Sequence, residues 1–107
     1  NFSLLEQPGL GMTLSPAYDL VNTALINPAD EEEMALTLNG RKKKLKKQDF
    51  VAAMTTLHVE KKQQENIFNK MAKVLPQWQE LIDRSFMSDA FKEQYKTILT
   101  ERMNRIQ

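Results

Sequence analysis

The sequence predicts a mostly α-helical fold, with a short β-hairpin and extended segments confined to the first 40 residues. Two observations lead there. All three glycines (Gly9, Gly11, Gly40) and three of the four prolines (Pro8, Pro16, Pro28) fall in residues 1–40, whereas residues 46–107 hold only Pro76. Glycine and proline punctuate turns and interrupt helices, so the first part reads as strands and loops. Beyond residue 45, apolar side chains recur at steps of three and four, the period of a helix with one packed face. The boundary divides the chain into a hairpin and loop region, 1–45, and a helical subdomain, 46–107, expected to belong to one unit.

Each element has its own signal. Phe2 to Leu5 and Met12 to Leu14 flank Gln7-Pro8-Gly9-Leu10-Gly11, a hairpin pattern, and Pro16 ends the second strand. Asp19 to Ile26 reads as a short helical turn ahead of Asn27-Pro28. Ala35 to Leu38 alternates weakly and runs into Asn39-Gly40, a tight-turn dipeptide because both residues tolerate positive φ. The first long helix is expected over Lys47 to Leu57, with Phe50, Val51, Met54 and Leu57 on one side. His58-Val59 then turns the chain. The second helix starts near Lys61, and its stripe runs through Ile67, Met71, Val74, Leu75, Trp78, Leu81, Ile82 and Phe86. Pro76 lacks a backbone donor, so a kink or a restart is expected there. Ser88 suits the N-cap of a last helix whose stripe is Phe91, Tyr95, Ile98, Leu99, Met103 and Ile106. These stripes are expected to pack on one another.

Composition excludes several functions. With 107 residues the chain fits one domain, and 41% hydrophobic with 27% charged residues is ordinary globular composition. Fifteen Lys and Arg against fourteen Asp and Glu leave +1, too even for a whole-domain nucleic-acid binder. Without cysteine there is no disulfide, thiolate metal site or cysteine nucleophile, which fits a reducing cytoplasm. No apolar run approaches the ~20 residues that span a bilayer, so no membrane association is expected. Asn1 to Leu5 lacks the charged region of a signal peptide. A strand-like opening with no initiator Met reads as a chain cut from something longer.

Few residues carry obvious chemistry. His58 stands alone at a helix–helix turn and reads as a cap or surface residue. Glu31-Glu32-Glu33 reads as a solvated loop, since the glycine and alternating ligands of a calcium loop are missing. Gly9-Leu10-Gly11 lacks the third glycine and following helix of a nucleotide loop. Arg41-Lys42-Lys43-Lys44-Leu45-Lys46-Lys47 reads as a solvated loop partly neutralised by Asp30 to Glu33; the sharper reading is a phosphate-contact patch for DNA or RNA.

The opening is the informative stretch. Asn1-Phe2-Ser3-Leu4-Leu5, followed by Leu14-Ser15-Pro16-Ala17-Tyr18-Asp19-Leu20, resembles the HipA-like serine/threonine kinases of bacterial toxin–antitoxin modules. Met34 to Gly40, Leu75-Pro76-Gln77-Trp78 and Ser85-Phe86 also resemble the C-terminal region of that family. The resemblance implies the helical C-terminal part of a kinase-like lobe. It implies that Asn1 and Asp19 are the cofactor-binding and metal-binding residues, holding Mg²⁺ against ATP in the parent protein. Hard oxygen donors are what Mg²⁺ prefers, and the metal neutralises charge on the phosphates. The competing assignment makes Asp19 the cap of a short helix and Asn1 a frayed end.

In the family the catalytic Asp lies five residues before the position of Asn1, so no catalytic residue is expected in this chain. The fragment is expected to be inert, with neither Mg²⁺ nor ATP bound to it alone. The partners implied for the parent are a protein substrate and a HipB-like DNA-binding antitoxin, with DNA contact only inside that complex. The alternative outside enzymes is a helical protein-interaction domain or a helix-turn-helix DNA-binding module. The latter would be built from Phe50 to Leu57, the His58-Val59 turn and a helix opening Lys61-Lys62-Gln63-Gln64. Against it, such turns often carry glycine, and this one has none.

Overall fold

The computed structural model describes residues 2–107 and has a mostly α architecture: a two-stranded antiparallel hairpin followed by four helices. Strand β1 (Leu4–Gln7) pairs with β2 (Gly11–Leu14), Leu4 opposite Leu14 and Gln7 opposite Gly11. The first strand thus sits two residues later than the apolar pattern placed it. The reason is the turn. Gln7-Pro8-Gly9-Leu10 closes on itself through a 3.0 Å bond from the Leu10 N–H to the Gln7 carbonyl. Pro8 supplies the fixed φ of the second turn position and Gly9, at φ 80°, the positive φ of the third. Gln7 is therefore the last residue free to join the ladder.

Helix α1 (Thr23–Ile26) is one turn long, and Asn22 caps it by accepting the Leu25 N–H at 3.2 Å. Downstream, Leu38 and Arg41 form an isolated bridge around Asn39 and Gly40, whose φ values of 50° and 73° meet the demand of a tight turn. Ala35 to Leu38 otherwise forms no strand.

Three long helices make the rest: α2 (Lys47–Thr56), α3 (Lys61–Asp83) and α4 (Asp89–Ile106). Asp49, with 1% of its side chain exposed, organises the start of α2. It accepts the Lys46 N–H at 2.9 Å and the Asn39 amide at 2.8 Å, with the Arg41 guanidinium at 3.9 Å. Those donors, the Lys46 N–H foremost, outweigh burial and hold its carboxyl below the usual aspartate range. Asp49 thus ties the Asn39-Gly40 turn to α2.

Helix α2 ends in a Schellman motif. The Val59 N–H reaches the Met54 carbonyl at 2.9 Å and the His58 N–H reaches Thr55 at 3.0 Å, with His58 at φ 58°. The turn takes its left-handed residue without glycine, so the missing glycine is no argument against a helix-turn-helix. Gln64, buried in the first turn of α3, donates to the Val59 carbonyl at 2.8 Å and to the Thr55 hydroxyl at 3.2 Å. It is a structural tie that the apolar stripe did not reveal.

Pro76 does not restart the helix: α3 runs as one element of 23 residues. The lost backbone bond costs about 3 kcal/mol. Inward-facing residues on both sides of it, Met71 and Val74 before, Trp78 and Ile82 after, hold the helix in register.

Helix α4 is the hub, packed by α1, α2 and α3. Leu25, Leu45, Ile82 and Met103 are the buried apolar side chains, with Phe50, Trp78 and Leu99 half-buried around them. The stripes overreach at their ends. Leu57 is 74% exposed, Leu81 and Ile67 face solvent, and Phe86 lies beyond α3, fully exposed. Periodicity marks a face but not where the neighbouring helix stops covering it. The radius of gyration of 16.3 Å exceeds the ~13 Å of a tightly packed chain of this size. The hairpin explains the excess, since it packs on no helix among the described residues.

Glu33 joins the loop region to α4. Its Oε1 accepts a hydrogen bond from the Arg105 guanidinium and is ion-paired with Arg102, each at 2.8 Å, and its Oε2 accepts the Leu45 N–H at 3.2 Å. Only 11% of the Glu33 side chain is exposed, which corrects its assignment to a solvated loop. Burial alone pushes its carboxyl up; the Arg105 hydrogen bond, the Leu45 N–H and the charges of both arginines outweigh it, and the net lies below 4.5. A carboxylate with a depressed pKa in the folded state contributes stability above its unfolded pKa. That contribution is lost as pH falls through the lower, folded value. Glu33→Gln should therefore lower stability by about 1–2 kcal/mol at neutral pH in urea unfolding. The difference between the two proteins should shrink as pH falls below 4.5.

Candidate functional site

The hairpin turns the chain back so that residue 18 meets residue 3. The Ser15 N–H donates to the Ser3 carbonyl at 2.8 Å, and the Ser3 N–H reaches the Ser15 hydroxyl at 3.3 Å. The Ser3 and Tyr18 hydroxyls share a hydrogen bond of 2.7 Å. Together these three contacts form a clasp at the open end of the ladder. Pro16 fits there because its ring prevents the strand from continuing.

Asp19 follows directly at φ 54°, a left-handed conformation that Asp tolerates better than most residues. The turn redirects the chain from the hairpin toward α1. Asp19 does not cap α1, because Asn22 does. The exposed side chain of Asp19 borders an open concavity of about 680 Å³, lined also by Leu20, Val21, Asn22, Thr23 and Tyr95. Tyr95 comes from α4, so the helical subdomain forms one wall. No sequence signal linked Tyr95 to Asp19, because the pairing depends on how α1 packs on α4.

Asn1, the other expected ligand, lies outside the described residues. Among the described residues no group of three or more His, Cys, Asp or Glu could hold a metal ion. A single exposed carboxylate beside an open concavity still fits Mg²⁺. That ion takes one or two protein carboxylates and completes its octahedron with water and phosphate oxygens.

The basic run is engaged with the acidic one. Lys42 pairs with Glu32 at 3.0 Å and Lys43 with Glu31 at 2.7 Å, while the Glu33 and Met34 N–H groups both reach the Lys42 carbonyl. The Lys43 hydrogen bond and charge hold Glu31 below its ordinary value, and Glu31 raises Lys43 in return. Lys47 lies 5.0 Å from the Phe68 ring centre and donates to the Gln107 carbonyl at 3.3 Å. Within Arg41 to Lys47, Leu45 is buried and anchors the run to the helices.

This is a mostly helical domain whose extended opening presents one acidic turn at the foot of a hairpin. Its sequence matches the HipA-like C-terminal domain over residues 1–78, and the chain belongs to that family. The matched span contains the hairpin, Asp19, the Met34 to Gly40 stretch and α3 as far as Trp78; Ser85-Phe86 and α4 lie beyond it. No curated protein matches the chain.

Because the Lys42 and Lys43 pairs are exposed, each is worth only about 0–1 kcal/mol. Replacing Lys42, Lys43, Lys44 and Lys46 by Gln should leave the far-UV spectrum unchanged and the melting temperature within a few degrees. If the run instead contacts phosphates, the wild type binds duplex DNA with steep salt dependence. The quadruple variant then loses roughly 3–4 units of log–log salt slope.

Proposed function

We propose that this chain is the C-terminal part of a HipA-like serine/threonine kinase lobe, in which Asp19, with Asn1, holds Mg²⁺ against the phosphates of ATP. The observation that carries this reading is the clasp. Within a chain of the HipA-like family, Tyr18 is hydrogen-bonded to Ser3, so the Pro16 to Asp19 turn is tied back to Ser3 at the start of the hairpin. The segment that bears Asp19 and the described start of the chain at Ser3 thereby belong to one local structure.

When bound, Mg²⁺ supplies charge neutralisation on the transferring phosphate. The contribution of this chain is to present the Asp19 carboxylate on a turn held from two sides, by the hairpin and by α1 on α4. The open concavity beside it leaves room for the phosphates. Phosphoryl transfer also needs a base to take the proton of the attacking hydroxyl, and the family places that Asp ahead of Asn1. The reading carries a protein hydroxyl as acceptor, a HipB-like DNA-binding antitoxin as partner, and a cytoplasmic setting. No described helix is long and apolar enough to cross a membrane. The helix-turn-helix alternative has less support. Gln64, at the front of α3, is directed into the α2–α3 turn and not outward to a base edge.

In the full-length protein, Asp19→Asn should abolish autophosphorylation from Mg²⁺–ATP while leaving the melting temperature close to wild type. The substitution keeps the size and removes the charge that the metal requires. Normal turnover in that variant would refute the metal role. The 107-residue chain alone should neither autophosphorylate nor bind ATP in calorimetry.

A further inference from the structure

We infer that Tyr18 is a positioning residue for Asp19, acting through its hydroxyl contact with Ser3; this rests on the metal-binding reading of Asp19. The geometry is specific. Asp19 sits in a left-handed conformation on a segment that is not in the ladder and is exposed to solvent. On its C-terminal side Asn22 caps α1, which packs on α4. On its N-terminal side the adjacent residue, Tyr18, reaches across fifteen positions to Ser3 at 2.7 Å.

Ser3 is itself fixed by two further bonds, to the Ser15 N–H at 2.8 Å and from its own N–H to the Ser15 hydroxyl at 3.3 Å. Tyr18 therefore bonds to a residue whose backbone is already tied into the hairpin. The tyrosine is half in solvent, so burial explains little of its placement. A phenylalanine would keep the ring and lose only the hydroxyl contact across the hairpin. Without that contact the carboxylate keeps its charge, but the segment carrying it loses its tie to the hairpin. Metal binding then has to supply the ordering that the clasp now supplies in advance. The expected consequence is weaker metal affinity with an intact fold.

The test uses the full-length protein with ATP, reading Mn²⁺ binding by electron paramagnetic resonance and the Mg²⁺ dependence of autophosphorylation. Tyr18→Phe and Ser3→Ala should each weaken Mn²⁺ binding about fivefold, the range of one hydrogen bond. The Mg²⁺ concentration for half-maximal autophosphorylation should rise by the same factor. Because both substitutions remove one contact, the double variant should be no weaker than either single variant. Asp19→Asn serves as the reference. If it loses Mn²⁺ while Tyr18→Phe binds like wild type, the positioning role is overturned and the metal role stands. If Asp19→Asn retains wild-type affinity, the metal role fails and the positioning role with it. Losses that multiply in the double variant would mean that the hydroxyls act separately, which also overturns the inference. Melting curves and protection of the Ser15 amide should match wild type in Tyr18→Phe; a variant that loses both is unfolding, and Ser3→Ala then carries the test.

Discussion

The Glu33 carboxylate is the interaction on which the arrangement of this molecule depends. It receives Arg102 and Arg105 from α4 on one oxygen and the Leu45 N–H on the other. Two hydrogen-bond donors and a second guanidinium around one largely buried carboxylate offset the cost of removing it from water. Its backbone N–H meanwhile pairs with Lys42, so the same residue fixes the acidic loop against the basic one. Leu45, held by that contact, is one of the few buried apolar side chains among the described residues, and Phe50 and Met103 line the same cavity. A loop without regular structure is thereby fastened to the end of the last helix. The positive charge of Arg105 in that final turn also suits the helix dipole.

Asp49 performs a comparable task at shorter range. It joins the Asn39-Gly40 turn, Arg41 and the first turn of α2 around one buried carboxylate. The surrounding donors hold both carboxyls below their usual range, and neither is part of the candidate site. The contrast with Asp19 is physical: Asp19 is exposed, stands on a turn between two anchored segments, and borders open space.

Family membership and fold support each other without being equivalent. The matched residues end inside α3, yet α4 covers α1, supplies both arginines for Glu33 and contributes Tyr95 to the wall beside Asp19. The part of the chain that carries the family pattern therefore relies on a helix outside it. The extended opening shows the reverse dependence: its hairpin is held by its own turn and by the Ser3–Ser15–Tyr18 clasp, with no helix against it among the described residues.

What the sequence determined by itself is local. Pro8-Gly9 dictates its turn, Asn39-Gly40 another, Ser88 the start of α4, and the steps of three and four the helices, because each rests on backbone conformations available to a few neighbouring residues. The hairpin between Asn-Phe-Ser and Pro16 to Asp19 was legible for the same reason. Tertiary structure decided the rest. It kept α3 continuous through Pro76, since packing on both sides outweighs one missing bond. It left Leu57 and Phe86 in solvent, because no helix reaches them. It turned Glu33 from an apparent surface charge into the tie to α4, and brought Tyr95 beside Asp19. These pairings join residues dozens of positions apart, and no periodicity encodes which helix end will meet which loop; only the three-dimensional packing of α4 against the loops settles that.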